Sequence, residues 1–282
     1  MRSILFFFLC LTCAVSASVQ SQTLKKQEKD SLSTWSIVKY DAQNTWLSVK
    51  HSVTRPAHWK GKDFKTLGLL MASTMALSSI DEPSNRFFVK QNAKAPQLLK
   101  DFGWYFGSPQ NYFMANAGLY GVGLLTKNES IRKTSVLIIS SSVTTGLIQT
   151  LTKNAIGRAR PGAKYGAFTF KPFSSEGAFH SFPSGHAILS LTMSHAIAKQ
   201  FHSTWAKIAT YSVGSIIPLS RLTANAHWLT DTLFSSAISI IVVNSIDQFL
   251  NNKELYNGPK KSKTISWHLA VKPNQIGFIG YF

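Results

Sequence analysis

Three short segments carry the side chains best suited to phosphate chemistry. The first contains Lys153 and Arg160, which are seven residues apart and precede Pro161. If a helix continues through both cations, they lie on one face two turns apart and can converge on one anion. Helix C-termini often gather Lys and Arg for electrostatic reasons alone. The pair by itself is therefore weak evidence for a site.

The second segment reads Phe182-Pro183-Ser184-Gly185-His186. A turn followed by a helix beginning near His186 would place backbone N–H groups and the Ser184 hydroxyl at a helix N-terminus, where an anion is stabilised. A histidine at the rim of that site can lend a proton to a leaving oxygen. A capping serine beside a surface histidine explains the same residues without any function.

The third segment contains Arg221, His227 and Asp231. Arg221 offers a planar fork for phosphate oxygens. His227 and Asp231 are four residues apart, so they are neighbours if both lie on one helix face. A carboxylate bound to one imidazole nitrogen fixes the tautomer and leaves the other lone pair available for attack. Taken alone, a surface His–Asp pair is the simpler interpretation.

In chain order the segments read Lys-x6-Arg-Pro, Pro-Ser-Gly-His and Ser-Arg-x5-His-x3-Asp. This pattern resembles the motif of the type 2 phosphatidic acid phosphatase (PAP2) and vanadium haloperoxidase superfamily. Every position of that motif is present, between Lys153 and Asp231. The resemblance implies an all-α fold, a PAP2-like bundle of about six core helices.

The resemblance also implies a role for each motif residue. His227 would be the nucleophile that forms a phosphohistidine, Asp231 would orient it, and His186 would protonate the leaving alcohol and then activate water. The other motif residues would bind the phosphate oxygens and stabilise the transition state: Lys153, Arg160, Ser184, Gly185 and Arg221. His180, His195 and His202 lie outside the motif, and of these His180 is the best placed to touch substrate.

Acidic residues are scarce around the motif. From Lys153 to Asp231 only Glu176 and Asp231 are acidic. A phosphatase that uses divalent metal ions needs several carboxylates to hold them. We therefore expect catalysis with no metal and no cofactor.

Six apolar segments predict the helices that must position these residues: 66–80, 112–126, 135–152, 187–198, 208–220 and 232–246. Most are shorter than the roughly 20 apolar residues of a membrane span, and the mean hydropathy is +0.01. We therefore expect a bundle with a buried core rather than a protein that crosses a membrane several times. Residues 135–152 and 229–246 are the segments that could extend across a thin bilayer.

The segments outside the catalytic domain, which we place at residues 66–252, have separate interpretations. Residues 1–17 are predicted to be a cleaved export signal, with a retained anchor or a lipid-modified Cys13 as alternatives. Both cysteines, Cys10 and Cys13, fall there, so no disulfide is expected in the mature chain. Residues 253–282 are predicted to be a basic linker and a tail with a small β-hairpin.

Residues 18–65 are polar but contain a predicted amphipathic helix. Its apolar positions recur every three or four residues: Trp35, Val38, Ala42, Trp46, Val49 and Val53. We expect this face to pack against the domain, and the alternative is that it lies on a membrane interface.

The formal net charge of +18 favours anionic partners. No nucleic-acid module or Lys/Arg stripe is present, so nucleic acid is not expected. We predict an exported phosphatase in the periplasm or cell envelope of a bacterium, associated with an anionic membrane surface and acting on a phosphorylated lipid. Phosphatidic acid, phosphatidylglycerol phosphate, a polyprenyl diphosphate and lipid A fit this class. The alternatives are a soluble periplasmic acid phosphatase acting on small phosphate esters, a vanadium-dependent haloperoxidase, and a protein that only binds anions.

Overall fold

The structure, a computed structural model, describes residues 33–252, 266–272 and 275–281. Within residues 33–252 it contains nine α-helices: α1 (Thr34–Thr54), α2 (Gly61–Leu77), α3 (Asp81–Gln91), α4 (Gln97–Tyr105), α5 (Pro109–Leu125), α6 (Glu129–Ile156), α7 (Gly185–Ala198), α8 (Thr204–Thr223) and α9 (Leu229–Leu250). This confirms the predicted all-α bundle. The predicted export signal and basic linker lie outside the described residues.

A short hairpin follows the helical region in the sequence. Strand β1 (Ser266–Lys272) pairs antiparallel with β2 (Gln275–Tyr281), and Lys272 lies opposite Gln275. The hairpin expected near the C-terminus is therefore observed.

The bundle has more helices than the apolar segments predict, because α3 is short and polar and α4 has only nine residues. The sequence Asp81 to Asn85 reads as a loop, yet it forms the first turns of α3. Asp81 and Glu82 favour that position because negative charge is stabilised at a helix N-terminus. Pro83 is tolerated there because the first N–H groups of a helix have no intrahelical acceptor.

Helix α6 is the centre of the fold and packs against α1, α5, α7 and α9. The buried apolar side chains around it form one cluster: Tyr112, Val136, Leu137, Ile138, Leu189, Ala196, Val242, Val243, Ile246 and Leu250. Burial of this cluster supplies the main hydrophobic stabilisation of the bundle.

Much of the helix-to-helix contact is made by small polar residues rather than by large apolar ones. In α6 the buried Ser142, Thr144 and Thr145 hydroxyls donate to carbonyls one turn back, so their burial does not leave these donors unpaired. Between α7 and α8 the Ser190 hydroxyl donates to the Gly214 carbonyl. Small side chains let the helix backbones approach closely, which is typical of helices packed within a membrane.

The outward faces of the helices are correspondingly apolar. In α1 the buried side chains include Asp41, Asn44 and Ser48, whereas Trp35 and Trp46 are 73% and 67% exposed. The expectation that the apolar face of α1 packs against the domain is therefore wrong. Its polar face packs inward because Asp41 accepts hydrogen bonds from Arg132 and Tyr120 inside the bundle.

Other helices share this outward apolar surface. Large exposed apolar side chains lie on α2, α4, α5, α6, α8 and α9, among them: Phe64, Leu69, Met75, Leu98, Trp104, Met114, Leu125, Leu151, Trp205, Ile208, Leu233 and Ile241. Two described helices, α6 and α9, are long and apolar enough to cross a membrane. Both features fit association with a membrane.

The close approach of α7 and α8 predicts the effect of adding one methyl group. A Cβ atom at Gly214 would lie 1.9 Å from Ser194 Oγ and 2.7 Å from Ser194 Cβ, so the helices must separate. We expect Gly214→Ala to lower the free energy of unfolding by about 1–3 kcal/mol through overpacking. At Gly146, in α6, an added Cβ would meet nothing within 4 Å. Gly146→Ala should therefore be neutral or stabilise by up to about 1 kcal/mol. Thermal or denaturant unfolding measures both changes, and equal stability of the two variants would contradict this packing.

Candidate active site

The first motif is positioned by the abrupt end of α6. Gly157 ends the helix in the left-handed region (φ 58°), and a Cβ there would lie 1.9 Å from the Lys171 carbonyl oxygen. The chain then pairs with the returning loop, since Ala159 N–H donates to the Thr169 carbonyl at 2.9 Å. Arg160 is therefore outside the helix. The predicted single helical face through both motif cations is wrong.

Main-chain carbonyls of the loops nevertheless hold both cations in place. Lys153 Nζ donates to the His180 carbonyl at 3.0 Å. Arg160 donates from Nε to the Gly177 carbonyl at 3.0 Å and from Nη1 to the Ala226 carbonyl at 3.2 Å. Because these acceptors are neutral, the hydrogen bonds orient the cations without cancelling their charge. A positive potential near His227 results.

The second motif forms the start of α7, as predicted, with Ser184 preceding the first helical residue, Gly185. Ser184 is fully buried, and its hydroxyl has no hydrogen-bond partner in the structure. The predicted phosphate contacts of Ser184 and Gly185 stay predictions.

His186 lies in the first turn of α7 and faces the motif cations. Its pKa is lowered from the ordinary 6.5 to about 4, chiefly because burial disfavours the charged ring. Nearby groups also oppose its protonation: Arg221, His227, Lys153 and Arg160. The same electrostatic contacts show that the three motifs converge on one place, and that His186 is neutral at pH 7 in the free protein.

His227 belongs to the loop before α9, so the predicted shared helix face with Asp231 is wrong, although the two side chains are adjacent. His227 Nδ1 lies 2.7 Å from the Ser181 carbonyl oxygen and 3.6 Å from Asp231 Oδ2. A carbonyl can only accept, so Nδ1 carries the proton and the neutral ring keeps its lone pair on Nε2. Burial lowers the pKa of His227, and the neighbouring Asp231 opposes that shift.

Asp231 is fully buried and lies in the first turn of α9. Its Oδ2 accepts the Trp228 N–H at 2.9 Å and the Ser181 hydroxyl at 2.5 Å. Its Oδ1 accepts from Arg158 Nη1 at 2.8 Å. The carboxylate therefore caps the helix and lies beside His227 at the same time.

Sequence reasoning missed three residues of this site, namely Asp81, Arg158 and Ser181. Arg158 lies between the two cations of the first motif but points away from them. It is buried and donates to the Ala167 carbonyl, to Asp81 and to Asp231. The available signal was the rarity of acids, because the chain has 12 Asp and Glu against 30 Lys and Arg. In so basic a chain, an acid directly after an apolar segment, as Asp81 is, was the signal for a charge that could be buried with a partner.

Comparison with known proteins agrees with the geometry. A sequence model of the PAP2 superfamily matches residues 134–254, which include all three motifs. Residues 134–254 belong to the PAP2 superfamily.

Curated relatives that this chain resembles include lipid A 1-phosphatases. The one from Rhizobium etli is 36% identical over 98 residues, which are 34% of this chain and 41% of the relative. The one from Porphyromonas gingivalis is 34% identical over 101 residues, which are 33% of this chain and 22% of the relative. The chain thus spans less than half of the length of these relatives.

Two solved structures are similar to this chain. Crystal structures of Aquifex aeolicus LpxE and of the transmembrane PAP2-type phosphatidylglycerolphosphate phosphatase of Bacillus subtilis superpose with TM-scores of 0.42 and 0.47. Their sequence identities are 19% and 20%. They cover 58% and 66% of this chain, and 93% and 92% of their own chains.

Helix α4 contributes to the wall of the PAP2 site. The Trp104 ring lies 5.2 Å from Arg221 Cζ, a cation–π contact that holds the guanidinium. A Cβ at Gly107, in the turn after α4, would lie 2.5 Å from His186 Cδ2. Helix α4 and the turn after it, which the sequence did not predict, therefore pack against Arg221 and His186.

Of the histidines outside the motif, His180 is the one that contacts a motif side chain. Its main-chain carbonyl binds Lys153, while its ring nitrogen Nε2 contacts the Ser174 carbonyl. His195 instead lies between Tyr211 and Asn244, away from the motif.

The electrostatics of the PAP2 site predict a ligand-dependent titration of His186. In the free protein its pKa should lie near 4. Orthovanadate or inorganic phosphate brings negative charge among the same cations and should raise the pKa of His186 by at least about 1 unit. NMR titration of the His186 ring with and without the anion measures this, and the exposed His202 is the control. An unchanged His186 pKa at saturating anion would contradict the placement of the anion next to it.

Proposed function

We propose that this protein is a phosphatase that hydrolyses the phosphate ester or diphosphate of a lipid through a phosphohistidine on His227, without a metal ion. One observation carries the proposal. The Nδ1 proton of buried His227 is held by the Ser181 carbonyl, so the Nε2 lone pair of the neutral ring is free beside cations that are bound to carbonyls.

The chemistry would proceed in two displacements. His227 Nε2 attacks phosphorus, the bond to the leaving oxygen breaks, and His186 gives that oxygen its proton. His186 then takes a proton from water, whose oxygen attacks phosphorus and breaks the P–N bond to release inorganic phosphate. Lys153, Arg160 and Arg221 stabilise the charge on the phosphoryl oxygens.

The protonation of His186 follows from substrate binding. The free ring is neutral because burial and cations lower its pKa. A phosphate dianion placed among these cations reverses much of that electrostatic penalty and favours the imidazolium that acts as the acid. After the alcohol leaves, the neutral ring is the base needed for water.

The acids of the site support catalysis without metal. Asp231 uses both oxygens for hydrogen bonds to Ser181, Trp228 and Arg158. Asp81 uses both oxygens to accept from Thr230 and Arg158. Carboxylates engaged in this way have little capacity left for a divalent cation, which needs several oxygen ligands.

The exposed apolar faces support a lipid substrate. A protein with Trp35 and Trp46 exposed on one helix, and with apolar side chains on most other helices, gains stability from contact with lipid. The named activity of the curated relatives, lipid A 1-phosphatase, agrees with this substrate class. We infer a membrane-associated location in the cell envelope, with the net positive charge favouring anionic headgroups.

Replacement of the nucleophile tests the mechanism. We expect His227→Ala to lower phosphate release by at least about 10³-fold, because the covalent route is lost. Release by the wild type should persist in EDTA. A phosphate-release assay measures both, and His202→Ala, at an exposed histidine outside the motif, should keep full activity. Loss of wild-type activity in EDTA, or full activity of His227→Ala, would overturn the proposed mechanism.

Substrate preference tests the lipid assignment. A short-chain lipid phosphate in mixed micelles should give a kcat/KM at least about 10-fold above that of p-nitrophenyl phosphate, because burial of even two or three CH₂ groups supplies this factor. A preference for the soluble ester would instead favour the acid phosphatase alternative. Halide oxidation by peroxide that depends on added vanadate would favour the haloperoxidase alternative.

A further inference from the structure

We propose that Asp81 and Arg158 are positioning residues for the reaction, with Arg158 held between two carboxylates so that Asp231 stays ionised and aimed beside His227. This inference rests on the proposed function for its kinetic consequences. Neither residue belongs to the three-part motif, and neither contacts the phosphate-binding side chains.

The contacts of Arg158 fix its guanidinium in one orientation. Nη1 donates to Asp231 Oδ1 and Thr230 Oγ1, both at 2.8 Å, and Nη2 donates to Asp81 Oδ2 at 2.7 Å. Nε donates to the Ala167 carbonyl at 3.0 Å. A planar fork with donors on three sides satisfies these acceptors simultaneously, which a lysine ammonium cannot do with the same geometry.

Asp81 extends the network to the start of α9. Its Oδ1 accepts the Thr230 N–H at 2.9 Å, and its Oδ2 also accepts the Thr230 hydroxyl. The carboxylate at the start of α3 therefore binds both Arg158 and the first turn of the helix that carries Asp231. A displacement of Asp81 would therefore shift Arg158 and Thr230, and these two residues fix the position of Asp231.

The net negative charge of the network would stabilise the positive charge that develops on His227 during attack. Asp81, Arg158 and Asp231 are all buried, and two carboxylates with one guanidinium leave one net negative charge. Without Arg158 the carboxylates would repel each other and one would take up a proton. Without the Asp81 charge the cluster would be neutral. The imidazole of His227, which becomes positive during attack, would then lose electrostatic stabilisation.

The test removes one charge while keeping the shape of the side chain. We expect Asp81→Asn to lower kcat by about 10–100-fold, the range found for residues that orient a functional histidine through a second contact. KM for the lipid phosphate should change less than about 2-fold, because Lys153, Arg160 and Arg221 are untouched. Unchanged kcat in a folded Asp81→Asn protein would overturn the proposal.

A second buried ion pair provides the matched control. Asp41 accepts from Arg132 Nε at 3.0 Å and from Tyr120, and neither of these partners belongs to the motif. Asp41→Asn therefore removes the same charge from a similar environment. We expect it to affect unfolding but not kcat. A loss of kcat equal to that of Asp81→Asn would show a general effect of destabilisation and overturn the proposal.

Conservative replacement of the arginine covers the case in which Asp81→Asn does not fold. Arg158→Lys keeps the positive charge but not the fork, and Arg158→Gln loses both. We expect kcat to fall in the order wild type, Arg158→Lys, Arg158→Gln, with KM nearly constant. Equal activity of Arg158→Lys and wild type would contradict a role that depends on the shape of the guanidinium.

A measurement without substrate separates this inference from the proposed function. Nitrogen NMR of the His227 ring should show the Nδ1–H tautomer in the wild type. Its pKa should be lower in Asp81→Asn, because a nearby negative charge is removed, and unchanged in Asp41→Asn. The other charged or titratable groups facing the ring are the same in all these proteins: Asp231, Arg160, Lys153 and His186. If the wild type shows the NMR result but no phosphatase activity, the proposed function fails and the positioning role survives. If the wild type is active but the His227 pKa is the same in Asp81→Asn as in the wild type, the positioning role fails alone.

Discussion

The two ion pairs of the buried Arg158 guanidinium are the interaction on which the geometry of the candidate site depends. The guanidinium lies between Asp81 and Asp231, so three charged groups from three separate parts of the chain are satisfied inside the bundle. Buried charges are costly unless they are paired and hydrogen-bonded. The start of α3, the loop after α6 and the start of α9 are therefore held together at one point. Asp231, one of these three charged groups, lies next to His227.

The cations of the site fall into two groups, because one binds carboxylates and the others bind main-chain carbonyls. Arg158 binds carboxylates and becomes part of the interior, whereas Lys153 and Arg160 bind main-chain carbonyls and keep their full field. Burial, and then the positive field of these cations, lower the pKa of His186. The same field attracts a phosphate, whose charge then favours protonation of that histidine. In the proposed mechanism, one arrangement of cations therefore serves both anion binding and the timing of proton transfer.

The polarity of the bundle is partly reversed relative to that of a typical water-soluble protein. Serine, threonine and Asp41 lie between helices, and large apolar side chains face outward. Hydroxyls that donate to carbonyls of their own helix, such as those of Thr144 and Thr145, lower the cost of burying polar side chains there. Such a bundle exposes its apolar surface where a lipid phosphate would diffuse. The location of the protein and the class of its substrate are in this way physically linked.

The sequence by itself determined the helical class, the main apolar helices and the identity of the motif residues, because periodicity and fixed spacing are local properties. It did not determine the short helices α3 and α4, the outward orientation of Trp46, or the position of His227 before α9, since these depend on packing between distant segments. Arg158 shows the limit most clearly. Its position two residues before Arg160 gives no sign of its partners, and only the tertiary structure directs it to Asp81 and Asp231. A buried charge takes the partner that the fold brings near, and that partner lies more than 70 residues away in the chain.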